Sequence, residues 1–196
     1  MRKCLSIVIS LFVLVFLCFV NSCSTMRSVH YGNCSRTIDA KGIKNADQLV
    51  CFFLAHNPDA DVEKVSRLAS FYKMECKYEG INSDVAFVQM CLETGFLRFG
   101  NLVSVDMNNF CGLGAINSEN PGLRFETEQL GVKAHVQHLH AYGTDRELKG
   151  ECVDPRYKYV KPRKKAPTVF ELSGTWAADK EYGSKLDSLL EDLGAF

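Results

Sequence analysis

Ser83-Asp84-Val85-Ala86-Phe87-Val88-Gln89-Met90-Cys91-Leu92-Glu93-Thr94-Gly95-Phe96 reads as a short helix with oily side chains on nearly every face. Asp84 falls in the first turn, where a negative charge suits the helix dipole. Gly95 is suited to the left-handed conformation that ends many helices. A helix apolar all round belongs in the interior of a domain. One carboxylate, Glu93, rides at its tail. Loss of water and the negative end of the dipole both disfavour the charged form there, so its pKa is expected to rise. A carboxylic acid that keeps its proton near neutral pH is the group that protonates a leaving oxygen in glycoside cleavage.

Working outward, the run Leu49-Val50-Cys51-Phe52-Phe53-Leu54-Ala55 predicts a helix from Asn45 to His56, ended by Asn57-Pro58. Asp61 is placed to cap a second helix whose apolar positions Val62, Val65, Leu68, Ala69, Tyr72 and Cys76 keep helical spacing, with Gly80 as its stop. Beyond the Glu93 helix, residues 96–120 hold several Gly and Asn and suit loop or short strand. Thr127 caps a further helix carrying Leu130, Val132, Val136, Leu139 and Tyr142 and stopped by Gly143. Residues 143–172 read as irregular, and Asp179 is expected to cap a last helix with Tyr182, Leu186, Leu189, Leu190 and Leu193 on one face. The fold class is therefore mainly α, with about five helices and little β structure.

The 196 residues allow one domain plus appendages. Twenty-three basic side chains balance 23 acidic ones, so no broad field draws nucleic acid, and none is expected as a partner. The run Lys161-Pro162-Arg163-Lys164-Lys165 reads as a solvated loop. Arg2 and Lys3, the apolar stretch from Leu5 to Val20, and then Asn21-Ser22-Cys23 follow the order of an export signal. The apolar stretch is shorter than the roughly 20 residues that cross a bilayer. Cys after a small residue resembles a bacterial lipobox, which implies lipidation of Cys23 and an exported protein held on a cell-envelope membrane facing the wall. The expected division is residues 1–22 as signal, 23–44 as tether and 45–196 as the domain. Six cysteines remain in the predicted mature part: Cys34, Cys51, Cys76, Cys91, Cys111 and Cys152. They allow fifteen full pairings, and spacing does not choose among them. Cys91 and Cys111 also suit the role of small buried apolar side chains.

Three separated segments are then read together: Phe87-Val88-Gln89-Met90-Cys91-Leu92-Glu93-Thr94-Gly95, Asn108-Asn109-Phe110-Cys111-Gly112-Leu113-Gly114 and Trp176-Ala177-Ala178-Asp179-Lys180-Glu181-Tyr182-Gly183. In this order and spacing the chain resembles the bacterial N-acetylglucosaminidases of glycoside hydrolase family seventy-three, over roughly residues 60–193. The resemblance implies a small lysozyme-like domain with a cleft that cuts the β-1,4 bond after N-acetylglucosamine in peptidoglycan glycan strands. It also implies that Glu93 is the general acid. No metal or organic cofactor is required by that chemistry, and the protein is expected to act as a monomer.

The same resemblance places Asn108, Asn109 and Phe110 on the cleft floor. One Asn is expected to support backbone and the other to face substrate, with Phe110 either core or sugar platform. Two departures stand out. The second acid of many members falls on Leu130, leaving Glu126 and Glu128 as stand-ins, or the substrate's own acetamido group in their place. Trp176 stands where many members have a tyrosine, so it either stacks on a sugar or anchors the core. Tyr157, Tyr159 and Tyr182 are candidates for the missing hydroxyl, with Tyr157 assigned to substrate and Tyr182 at core spacing. His135, His138 and His140 lack a third ligand at workable spacing and are read as packed or surface residues, not as a metal site. The rival readings are a lytic transglycosylase or muramidase on the same fold, and a non-catalytic glycan-binding lipoprotein.

Overall fold

A computed structural model describes residues 33–100 and 102–196. Its five α-helices start and stop where side chains satisfy the free ends of the backbone. α1 (Ala46–His56) opens on a capping box in which Asn45 and Gln48 exchange bonds. α2 (Val62–Glu79) opens on Asp61, whose carboxylate accepts from the amides of Glu63 and Lys64, and closes at Gly80 with φ 78°. α3 (Ser83–Thr94) opens on Asn82 and closes at Gly95 with φ 56°. α4 (Glu128–Gly143) opens on Thr127, which accepts from the amide of Leu130. α5 (Tyr182–Gly194) departs from expectation: its N-cap residue Glu181 makes no side-chain cap, the Ser173 hydroxyl accepts from the amide of Gly183 at 2.9 Å, and Asp179 accepts from the amide of Glu181 at 2.9 Å, closing a turn just outside the helix. Single 3-10 turns occur at Val105–Met107, Tyr157–Tyr159 and Phe170–Leu172. Extended pairing among the described residues is limited to isolated bridges, such as Thr37 with Thr168.

α3 is the hub. It packs against all four other helices, and α2 lies across both α1 and α4. Every α3 residue from Ser83 to Cys91 is buried; only Leu92 and Glu93 reach partial exposure. Val85, Phe87, Val88 and Met90 are wholly buried, each worth about 1.5–3 kcal/mol against exposure. The mainly helical architecture is built round a main apolar core with α3 at its centre, beside which Cys111, Leu113 and Ala134 form a smaller cluster.

The expected tether does not end at residue 44. Cys34, Ile38 and Lys44 are buried, and Ile38 bonds through its backbone to Pro167 and to Asn82. Asn82 Nδ2 donates to the carbonyls of Ser35 and Thr37, both at 3.0 Å. Asp84, wholly buried, accepts from the amides of Ile43 at 2.8 Å and Lys44 at 3.3 Å. The segment's small polar composition, read as solvated linker, serves close approach: a Cβ on Gly42 would lie 2.2 Å from Ser83 Oγ. The domain therefore starts no later than Cys34. The predicted signal, Cys23 and the first part of the tether lie outside the described residues.

All six cysteines within the described residues are free, with Cys51 and Cys152 exposed and the rest buried. Burial pushes the thiols of Cys76, Cys91 and Cys111 well up, so they act as small apolar side chains.

Asp84→Ala would remove the acceptor of the Ile43 and Lys44 amides, the second of them buried. It is expected to destabilise the domain by about 3 kcal/mol, read as a lower urea midpoint at unchanged slope. A midpoint within error of wild type would show that the 33–44 segment is not fastened through this residue.

Candidate active site

The tail of α3 delivers Glu93 to the edge of a cavity of about 290 Å³, lined also by Phe99, Leu102, Asn109, Gly112 and Trp176. Two neutral groups hold one oxygen of the carboxyl. Trp176 Nε1 donates to Oε1 at 2.8 Å and the Tyr182 hydroxyl donates to the same atom at 2.5 Å. The other oxygen, Oε2, looks past Gly112, where even an added Cβ would stand 3.9 Å away. Burial raises the Glu93 pKa above the usual carboxylate range, and the two donors, which favour the charged form, oppose that shift without cancelling it. The direction agrees with the expectation from the sequence, and loss of water is its main cause.

Trp176 is partly buried, packs against the core and also lines the cavity, and it does a third thing besides. Its ring packs against His135, His138 and Tyr142 with centroids 5.9, 5.1 and 5.1 Å away, while its N–H points at Glu93. His138 is itself held by buried Asp154 at 2.7 Å. Tyr182, the first residue of α5, is both core, as its spacing indicated, and a donor to the acid. Burial and the charge of Glu93 push its phenol well above its ordinary pKa, so it stays protonated and donating.

The cleft loop is held by its asparagines. Asn109 is wholly buried; its Nδ2 donates to the carbonyls of Leu113 and Leu123, both at 2.9 Å, and its Oδ1 accepts from the amide of Leu113 at 2.9 Å. Asn108 Nδ2 donates to the Phe125 carbonyl at 3.0 Å. Both therefore support backbone, so the expectation that one faces substrate is corrected: the amide that lines the cavity, Asn109, already has its partners. Phe110 is wholly buried in the main core and is no sugar platform.

Three other expected site residues lie elsewhere. Tyr157 stands on its own 3-10 turn, with His140 Nδ1 at 3.2 Å and Arg163 at 3.0 Å, and does not line the Glu93 cavity. Glu128 is pinned by a two-bond contact with Arg67 at 2.9 and 3.2 Å, with Lys64 at 3.8 Å; charge attraction to α2 turns it away from the cavity. Glu126 is exposed and also outside the lining. Among the described residues Glu93 is the one carboxylate that lines this cavity. Sequence reading passed over Gln89 and Tyr72 and gave His135 no role. All three are wholly buried, and they continue the hydrogen-bonding behind Tyr182. The available signal was a lone amide, Gln89, inside an oily helix: a buried amide needs partners.

A family model described as glucosaminidase, mannosyl-glycoprotein endo-beta-N-acetylglucosaminidase, matches residues 69–195. An uncharacterized protein of Borreliella burgdorferi is 42% identical over 154 residues, which is 79% of this chain and 75% of that relative. No solved structure matches the chain significantly.

Because the folded-state pKa of Glu93 lies above its unfolded value, the stability this group contributes is fully present below the unfolded pKa and is lost as pH rises through the folded pKa. Glu93→Gln, held neutral at all pH, is expected to melt with wild type near pH 4 and above it near pH 8. Equal melting temperatures at both would mean that the carboxyl is not desolvated. A second expectation concerns the donors. Tyr182→Phe removes a bond that favours the anion, so the carboxyl of Glu93, followed by carbon NMR, should titrate at higher pH; a downward or absent shift would contradict the arrangement.

Proposed function

The chain belongs to the glucosaminidase family, and from that premise we propose that it cuts the β-1,4 bond after N-acetylglucosamine in peptidoglycan with Glu93 as the general acid. Membership makes it a glycoside hydrolase of the endo-β-N-acetylglucosaminidase kind, with glycan as its substrate. The bond cut follows the family resemblance, and the role of Glu93 is supported by one observation: a desolvated carboxyl has one oxygen occupied by two neutral donors and lines a cavity of about 290 Å³. Glu93 gives its proton to the glycosidic oxygen as the C1–O bond breaks, and the departing sugar leaves as an alcohol. Positive charge develops at C1 and the ring oxygen. Since Glu93 is the one carboxylate lining the cavity among the described residues, the acetamido oxygen of the same N-acetylglucosamine closes on C1, and water then reopens that ring. The Glu93 carboxylate left by proton transfer takes the proton back from that water.

The signal-like order of residues 1–22 and Cys23 support a place on a bacterial cell-envelope membrane, held by lipid and facing the cell wall; globomycin sensitivity of its processing tests this. A second reading, a lytic transglycosylase, is favoured by the single carboxylate, because that reaction needs no attacking water.

Glu93→Gln is expected to lower the rate of glycan cleavage by about 10²–10⁴-fold, the usual worth of a general acid, while the protein stays folded. Near-wild-type cleavage by the folded variant would remove the mechanism. Mass spectrometry of digested sacculi separates the two readings: new reducing-end N-acetylglucosamine supports hydrolysis as written, and anhydro-muramic ends support the transglycosylase.

A further inference from the structure

Behind Tyr182 a file of buried polar side chains runs through the core. Gln89 Nε2 lies 3.0 Å from the Tyr182 hydroxyl, Gln89 Oε1 lies 3.0 Å from His135 Nε2, and His135 Nδ1 lies 2.8 Å from the Tyr72 hydroxyl. The file crosses three helices and the start of a fourth: Tyr72 is on α2, Gln89 on α3, His135 on α4 and Tyr182 on α5. Tyr72, Gln89 and His135 are completely buried, and Tyr182 is 5% exposed, so solvent supplies none of their partners.

Such a file can carry its hydrogens in one of two directions, and Tyr72 selects between them. Its hydroxyl has one hydrogen-bond partner among the described residues, His135 Nδ1. If the ring nitrogen donated to Tyr72, the phenolic hydrogen would be stranded in the core, where an unpaired donor is costly. Tyr72 therefore donates. His135 is kept neutral, its pKa pushed down to about 3 by burial and then by neighbouring His138, so it holds a single hydrogen, on Nε2, and gives it to Gln89 Oε1. The Gln89 amide then gives its hydrogen to the Tyr182 oxygen, and Tyr182 can only point its own hydrogen at Glu93 Oε1. Trp176 adds a second donor to that oxygen. With both acceptor directions of Oε1 filled, the acidic proton has its place on Oε2, which faces the cavity.

We propose that Tyr72, His135 and Gln89 are positioning residues that fix the direction of this hydrogen-bond file, and so hold the catalytic proton of Glu93 on the oxygen that meets the substrate. The proposal rests on Glu93 being the general acid. Without the file, Glu93 could turn its proton inward to Tyr182, where it is useless to the glycosidic oxygen. The groups around His135 are Tyr72 from α2, Gln89 from α3, His138 from its own helix and the Trp176 ring. Tyr72, Gln89 and the Trp176 ring are neutral groups, and His138 is engaged by Asp154 at 2.7 Å.

The test combines kinetics with a direct reading of the tautomer. Tyr72→Phe deletes one hydroxyl remote from the cavity and is expected to lower kcat on sacculi several-fold with KM unchanged; Gln89→Met is expected to lower kcat about ten-fold. Each should add nothing further to Tyr182→Phe, because all three act through one donor. In wild-type protein, nitrogen NMR should show His135 neutral with its hydrogen on Nε2 at pH 5 to 8. Full kcat in folded Tyr72→Phe and Gln89→Met, losses that add to that of Tyr182→Phe, or a hydrogen on Nδ1 would each overturn the proposal. The NMR reading needs no variant to fold. Active Glu93→Gln would instead sink the general-acid reading itself, so the two failures are distinct.

Discussion

The structure depends on the desolvation of one carboxyl at the end of a helix that has no solvent-facing side. α3 makes contact with every other helix, and its burial leaves Glu93 little water with which to support a charge. Stability alone would replace such a residue. It is retained at tolerable cost because its two donors, Trp176 and Tyr182, are neutral. A nearby Arg or Lys would have stabilised the anion far more and removed the acid. The site is thus a compromise in which burial raises the pKa of the carboxyl and two neutral donors keep it in place without cancelling that shift.

The donors come from segments that the core places independently. Trp176 reaches Glu93 from the turn after Phe170–Leu172, pressed on one side by His138 and Tyr142 of α4. Tyr182 starts α5, whose next residue, Gly183, sits so close to Phe170 that an added Cβ would stand 2.7 Å from its Cα. On the other side of the cavity, the chain leaving α3 is tightly wound. Phe96, Leu97 and Phe99 take φ of 55°, 60° and 54°, a region costly for bulky side chains. Phe96 is held there by His56 stacked at 4.4 Å and by Asn57, which donates to its carbonyl. Phe99 thereby lines the cavity. The acid, its donors and the cavity wall are therefore all positioned by packing interactions outside the cavity itself.

What was legible in the sequence divides along this line. Helices α1 to α4 were readable because their caps and stops, from Asn45 to Gly143, are local. Glu93 was readable because its environment is set by its own helix. The partners of polar side chains were not, since these are long-range: Glu128 looked free until Arg67, far away in the chain, took it. Asn108 and Asn109 looked like ligand groups because spacing does not reveal that the amides of a tight loop are consumed by the loop. The 33–44 segment failed for the same reason. Small polar residues are ambiguous between solvent and close packing until the opposite wall is known, and here that wall is Asn82 to Asp84.

The exchange of tyrosine for Trp176 at a position aimed at the acid follows from the same electrostatics. An indole N–H can only donate. A phenol there could also accept, and would offer the protonated acid an inward-facing partner at Oε1. Trp176 removes that possibility from one side of the oxygen, and the buried amide of Gln89 removes it from the other by occupying the oxygen of Tyr182. Among the described residues Glu93 is the one carboxyl that lines the cavity, with no second acid beside it to correct a misplaced proton. The site's selectivity between the two oxygens of Glu93 must therefore be built from groups that donate in one direction, and the two departures from the family pattern, an indole and a missing second acid, belong to one arrangement.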